Sequence, residues 1–267
     1  MSACEEALKR ERLESVVREI TAQGGGEPEG RFAREFLARV PIDELTAASS
    51  PALAAITRGM REFAIQRVAG TPLVRVYNPD LEKDGWESPH TVVEIINDDM
   101  PFLVDSVVLA LGRLGIAAQL IVHPVLKVRR DQGGHWLDLD PPQSEADGES
   151  LMHVQVDRQA YPEKLSEIEQ AIREGLADVR RAVGDWPAMC ERTRAIAERF
   201  VAEHDHLGEA FANEAGDFFT WLADDHFTFL GYREYRIEEL DGERVLRALP
   251  ETGLGIMHPD HRPAPTR

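Results

Sequence analysis

The sequence is poor in cysteine: two in 267 residues, Cys4 and Cys190, far apart and without a Cys-x-x-Cys spacing. That excludes a disulfide framework and suits a reducing compartment. Long apolar runs are missing too, since none approaches the roughly 18–20 residues needed to span a bilayer. The first twenty residues, MSACEEALKRERLESVVREI, carry charge throughout, so no secretory signal is expected there. Positive charge is the third shortage, with 30 Lys and Arg against 48 Asp and Glu, a net charge of −18. Such a surface repels phosphate backbones and anionic lipid, which argues against nucleic acid and membranes as partners. A soluble, cytoplasmic protein is the expectation.

What is present is ordinary for a globular chain, with 43% hydrophobic and 29% charged residues. The length allows one large domain or two small ones. Leu8, Leu13, Val16, Val17 and Ile20 repeat at helical spacing, and Gly24 to Gly30 reads as a flexible joint. Phe32, Phe36, Leu37 and Val40 mark a second helix stopped by Pro41, and a third runs from Ser50-Pro51 to Arg67. The period then changes. Leu73 to Tyr77 alternates as a short strand, and Thr91 to Ile96 is a second. Residues 101–114 form a helix, 116–128 a long strand bent near Pro124, and 131–134 a hairpin tip. The stretch 140–149 has loop composition, Met152 to Val156 is a strand, and Leu165 to Val183 repeats as a long helix. The pattern from Trp186 to Asp225 stays helical, Phe227 to Ile237 is an aromatic strand, and Val245 to Leu249 pairs back on it.

These readings divide the chain into an N-terminal helical segment (1–70), an α/β core (71–185), a helical segment (186–225), C-terminal strands (226–257) completing or extending the sheet, and a flexible tail (258–267). The predicted fold class is α+β. The order β-α-β-β-α, closed by 227–237 after a helical insertion, gives the ferredoxin-like βαββαβ antiparallel sheet. Residues 73–77 are a candidate to join that sheet as an extra strand.

The stretch VEIINDDMPFLVDSVVLALGRLGI, residues 93–116, resembles the ACT domain, a ferredoxin-like regulatory module that binds amino acids at paired interfaces. The ACT pattern is a strand, then Asp-x-Pro-Gly opening a helix, then Leu-x-x-x-Gly-Ile entering the next strand. Asp99-Met100-Pro101-Phe102 stands at the first place, with Phe102 where the glycine would be, and Leu111 to Ile116 at the second. Val74 to Pro79, Asn97 to Ser106, Trp221 to Arg233 and Gly253 to Ile256 together resemble the N-terminal part of the large bacterial NAD-specific glutamate dehydrogenases. The resemblance implies a fragment of a longer chain whose catalytic domain, oxidising L-glutamate to 2-oxoglutarate with NAD, lies further on. It also implies a regulatory or assembly role, the rest of the dehydrogenase as partner, a homo-oligomer and an amino-acid effector. The ligand-binding residues it points to are Asn97, Asp98, Asp99, Met100, Pro101, Phe102, Gly115 and Ile116.

Read without the resemblance, Asp98 and Asp99 are either a ligand-facing pair beside helix amides or simply the cap of that helix, the blander alternative. His204-Asp205-His206 and His258 to His261 read as solvated surface, not metal ligands. Cys190 reads as a small buried hydrophobe. Asp224-Asp225-His226 reads as a turn whose carboxylates bond local backbone, and Phe218, Trp221 and Leu222 as core. Arg75 and Arg233 lie on strands and are candidates for cross-sheet ion pairs. Gly24 to Gly26 lacks a strand-turn-helix setting and Gly253-Leu254-Gly255 lacks a third glycine, so no dinucleotide site is expected. No catalytic residue, metal site or cofactor site is expected in this chain; NAD belongs to the full-length protein.

Overall fold

The structure, a computed structural model, describes residues 3–141, 143–145, 147–202, 208–240 and 242–260. In chain order it has helices α1 (Ala3–Ala22), α2 (Glu27–Leu37), α3 (Ile42–Ala47) and α4 (Ser50–Phe63), strand β1 (Leu73–Tyr77), the one-turn helix α5 (Leu81–Asp84), β2 (His90–Asp98) and α6 (Leu103–Arg113). Then follow β3 (Ala118–Val122), β4 (Val125–Leu126), β5 (Val128–Arg130), β6 (Trp136–Leu139), β7 (Glu149–Asp157), α7 (Pro162–Ala202), α8 (Glu209–Trp221), a π turn (Leu222–His226), β8 (Gly231–Leu240) and β9 (Glu243–Gly255). The chain divides into two compact units, Met1–Leu176 and Ala177–Arg267.

In the first unit an antiparallel sheet runs β1-β2-β7-β3, with β4 also paired to β7. It is a mixed α/β arrangement with antiparallel sheets. The strand expected at 227–237 does not close it. The place beside β2 belongs to β1, in register from Leu73 opposite Ile96 to Tyr77 opposite Val92. β1 and β2 are joined by a short link, so their pairing costs little closure entropy, whereas 227–237 follows a long helical stretch. That segment instead pairs with its own neighbour. β8 and β9 form a separate two-stranded sheet, so among the described residues the helical stretch before β8 does not lead into a strand of the main sheet.

Residues 91–97 of β2 are buried throughout, as a strand covered on both faces must be. On one face Ile96, Leu151 and Val122 join a single apolar cluster with Val16, Val17, Phe32, Phe36, Leu45, Leu53 and Met60 of α1 to α4. Segments 1–70 and 71–176 therefore share one core. Phe32 anchors it, stacked on Phe36 at 5.6 Å and edge-on to Trp136 at 5.5 Å. On the opposite face Val93, Ile95, Met152, Val154 and Val156 have no exposure. α6 and the start of α7 supply the buried Leu103, Val107, Leu111, Ile168 and Ile172. Arg173 of α7 donates to the carbonyls of Pro72 and Val74, at 3.4 and 2.8 Å.

Three local expectations need correction. The joint at 24–30 is shorter, because α2 starts at Glu27 and buries Gly30. The strand at 116–128 is broken: Pro124 has no N–H to pair, and past Lys127 the chain leaves the sheet so that β5 pairs with β6. The long helix does not stop at 183; α7 continues through Pro187, which forgoes one backbone hydrogen bond within 41 residues of helix.

In the second unit the aromatic residues expected in a core are half exposed, Phe218 at 53% and Trp221 at 48%. They stack instead on one another and on His226, whose ring lies 4.7 Å from Trp221. Helical spacing alone cannot tell a buried stripe from a surface one. Among the described residues no helix is long and apolar enough to cross a membrane.

Candidate functional site

The turn after β2 carries most of the predicted ligand residues, and the structure separates their roles. Asn97 is buried at 1% exposure. Asp98 is engaged elsewhere: its Oδ1 accepts from Arg67 Nη2 at 2.6 Å and its Oδ2 from the Gly70 N–H at 2.9 Å. Asp99 is exposed, and its N–H donates to the Gly148 carbonyl at 2.9 Å. That approach needs glycine at 148, where a Cβ would lie 2.6 Å from Val125 Cγ1. Met100 is half-buried, and Pro101 and Phe102 are exposed.

Neither aspartate occupies the cap of α6. The cap position belongs to Phe102, which makes no side-chain cap bond and sits at φ 67°, ψ 11°. This is the left-handed region where the glycine of the ACT pattern would be at ease, and a bulky residue there stores about 1–3 kcal/mol of strain. Its ring stays 48% exposed. Gly115, at φ 73°, and Ile116 lie past the other end of α6, where the Ile116 N–H closes on the Leu111 carbonyl at 3.0 Å. Eleven helical residues separate the two groups by about 16 Å. One chain does not bring them together.

Asp98 belongs to a buried ionic cluster. Arg130 grips Glu149 through Nε and Nη2 at 2.6 and 2.8 Å, and Arg67, 2% exposed, reaches Glu149 at 3.3 Å. Arg130 also lies over the Trp136 ring at 5.6 Å and donates to the Gly134 carbonyl at 2.9 Å. This cluster ties the ends of β2 and β7 to the β5–β6 hairpin. Beside it, His123 Nε2 lies 2.7 Å from Ser150 Oγ. Burial holds that imidazole below its ordinary pKa, and the nearby Asp99 carboxylate opposes the shift.

A second buried cluster holds the cross-sheet ion pair expected of Arg75, with partners the sequence did not identify. Arg75 on β1, Glu94 on β2 and His153 on β7 are opposite one another and form a row across three strands. Glu94 is wholly buried, accepts from the Arg75 guanidinium, and lies 3.2 Å from His153 Nδ1 and 3.3 Å from the Tyr77 hydroxyl. Burial and the Glu94 charge push the Tyr77 phenol well above its usual range. Arg75 also donates through Nη2 to the Gly59 carbonyl at 2.9 Å and stacks over Phe63 and Tyr77 at 4.5 and 5.0 Å. The signal was legible: a glutamate inside Thr91-Val-Val-Glu-Ile-Ile96 and a histidine inside Leu151-Met-His-Val-Gln155 are charges within buried strands.

In the second unit, Asp224 pairs with Arg194 at 3.2 Å, and not with local backbone as expected. His226 Nδ1 sits 3.0 Å from the Trp221 carbonyl. Arg233 donates to the Met257 carbonyl. Cys190 is buried, which pushes its thiol pKa up. The Gly255 N–H donates to Asp185 Oδ2 at 2.7 Å, a role in chain packing. Residues 203–207, with His204-Asp205-His206, and residues 261–267, with His261, lie outside the described residues. Among the described residues no cluster of three His, Cys, Asp or Glu could hold a metal ion.

The strand-turn-helix of residues 93–116 lies in the main antiparallel sheet, and comparison with known proteins shows the family. The family described as glutamate dehydrogenase, ACT1 domain, matches residues 32–172, and the chain belongs to it. The NAD-specific glutamate dehydrogenase of Halomonas elongata is 38% identical over 234 residues, 86% of this chain. That of Pseudomonas aeruginosa is 36% identical over 80% of the chain, and that of Mycobacterium tuberculosis 29% over 72%. The chain spans only 14% of the length of the first two and 12% of the third.

Proposed function

We propose that this chain is the N-terminal regulatory and assembly segment of a cytoplasmic NAD-dependent glutamate dehydrogenase, with catalysis carried by the remainder of the polypeptide. The full-length protein would convert L-glutamate and NAD to 2-oxoglutarate, ammonia and NADH. The observation that carries this reading is the ACT1-domain match over residues 32–172, in relatives of which the chain is a small fraction. We read the sheet as an ACT-like unit whose fourth position is filled from the N-terminal side by β1.

Within that role the turn at 97–102 and the Gly115-Ile116 corner are an amino-acid effector site. Because α6 holds them about 16 Å apart, the site is complete only where two copies meet. Asp98 is spent on Arg67, which leaves Asp99 and the amides opening α6 to meet an ammonium and a carboxylate. Calorimetric titration with a panel of amino acids tests this; no heat at millimolar ligand argues against it.

A second reading, assembly without any ligand, is favoured by the exposed apolar residues Phe102, Val108 and Leu109 on and beside α6. Light scattering discriminates. Association independent of added amino acid supports pure assembly, and a monomer at all concentrations counts against it.

A further inference from the structure

A cavity of about 340 Å³ lies between α4, β1 and the α5 turn, on the side of the sheet away from α6. Ala55, Arg58, Gly59 and Glu62 form the α4 wall. Glu82, Lys83, Asp84, Gly85 and Trp86 form the other wall, and Arg75 and Tyr77 form the floor. We propose that this cavity binds a small zwitterion, a molecule with a carboxylate and an ammonium group a few bonds apart.

The floor is pre-organised. Arg75 is fixed by Glu94 and the Gly59 carbonyl through Nε and Nη2, and its guanidinium lies over the rings of Phe63 and Tyr77. Its Nη1 has no protein partner among the described residues, and the side chain is 34% exposed. A guanidinium held this way presents its last two N–H groups to the cavity at little entropic cost, the geometry that receives a carboxylate.

The walls decide which carboxylate. Three cations, Arg58, Arg75 and Lys83, and three carboxylates, Glu62, Glu82 and Asp84, line the cavity; Arg58 also donates to Gln23, and Asp84 Oδ2 accepts from the Asp80 N–H at 2.9 Å. A phosphate or dicarboxylate would be held by the first set and repelled by the second; an amine would meet the reverse. Only a molecule with both charges is matched by both. The volume lies at the small end of ligand cavities, suited to a compact metabolite.

Occupancy reaches the sheet directly. Arg75 touches Glu94, and Glu94 touches His153, so a carboxylate on Nη1 loads a row that crosses β1, β2 and β7. The inference rests on the effector role proposed above but places the ligand elsewhere than the α6 turn.

The test is titration of the 267-residue chain with glycine, the other common α-amino acids, acetate, methylamine and inorganic phosphate. At least one amino acid should saturate, with acetate, methylamine and phosphate at least tenfold weaker. Arg58→Ala and Glu62→Ala are exposed and away from the buried row; each should weaken binding about fivefold with the melting temperature unchanged. Arg75→Lys keeps the charge and loses the fork, and should weaken binding further. Asp99→Ala, which removes the ammonium partner proposed for the α6 turn, should leave in place the binding that Arg58→Ala and Glu62→Ala weaken. Equal binding of acetate and amino acid, or wall variants without effect, overturns the proposal. Loss of binding in Asp99→Ala alone puts the ligand at the turn, overturning this site and sparing the effector role. No binding of any probe overturns both.

Discussion

Phe102 offers a clean measurement of backbone strain. It takes φ 67° in the position from which α6 starts, and its ring is 48% exposed. Replacing it with Ala or with Gly removes the same phenyl packing, so the difference between the two variants isolates the backbone. At an ordinary exposed position Ala is the more stable by about 0.4–1 kcal/mol, because glycine has more conformational freedom to lose. In the left-handed region the order reverses, since a Cβ crowds the following carbonyl at a cost of about 1–2 kcal/mol that glycine escapes. Phe102→Gly should therefore be more stable than Phe102→Ala by roughly 0.5–1 kcal/mol. For a chain of this size that is about 1–4 °C in melting temperature. Thermal melts followed by circular dichroism at matched concentration suffice. An alanine variant as stable as the glycine variant, or more so, would falsify the left-handed assignment and the account of this turn built on it.

Other outcomes follow from the buried charges. Glu94→Ala leaves the Arg75 guanidinium, itself about a third exposed, without its carboxylate and should cost about 1–3 kcal/mol by urea denaturation. Arg67→Ala takes the cation from Asp98 and leaves Glu149 to Arg130 alone, and should cost a similar amount, whereas Arg34→Ala, at the exposed Glu14 pair, should cost under about 1 kcal/mol. Equal effects would contradict the burial contrast. His123 titrates below its unfolded value because burial disfavours its charged form. Above about pH 6.5 both states are neutral and nothing is lost; below it the unfolded chain binds the proton first, so stability falls down to the lowered folded pKa. His123→Gln should flatten the melting-temperature profile through that window, and an unchanged slope would remove His123 as its source.

Much of the fold could be read from residue patterns. The change of period after Gly70, the alternation at 73–77 and the apolar runs of β2 and β7 place the main strands within a few residues. The partner of β2 was harder. Pattern gives a strand its faces but not its neighbour: 227–237 had the composition of a closing strand, and 73–77 that of an extra one. Chain proximity decided it.

The candidate site was legible in sequence position but not in partnership. Asp98 and Asp99 are adjacent, yet one is held by Arg67, 31 residues away, and the other faces solvent. Local spacing carries no information about such a pairing. The Arg75–Glu94–His153 row could have been suspected from charges inside apolar strands, but its register needed β1 beside β2.

The central claim is that this chain modulates or assembles a dehydrogenase without performing its chemistry. Incubating the purified 267-residue chain with NAD and L-glutamate and following NADH absorbance tests it most directly, with the full-length enzyme as positive control. The account predicts NADH from the full-length enzyme and none from the chain. Sustained NADH formation by the chain alone would contradict it.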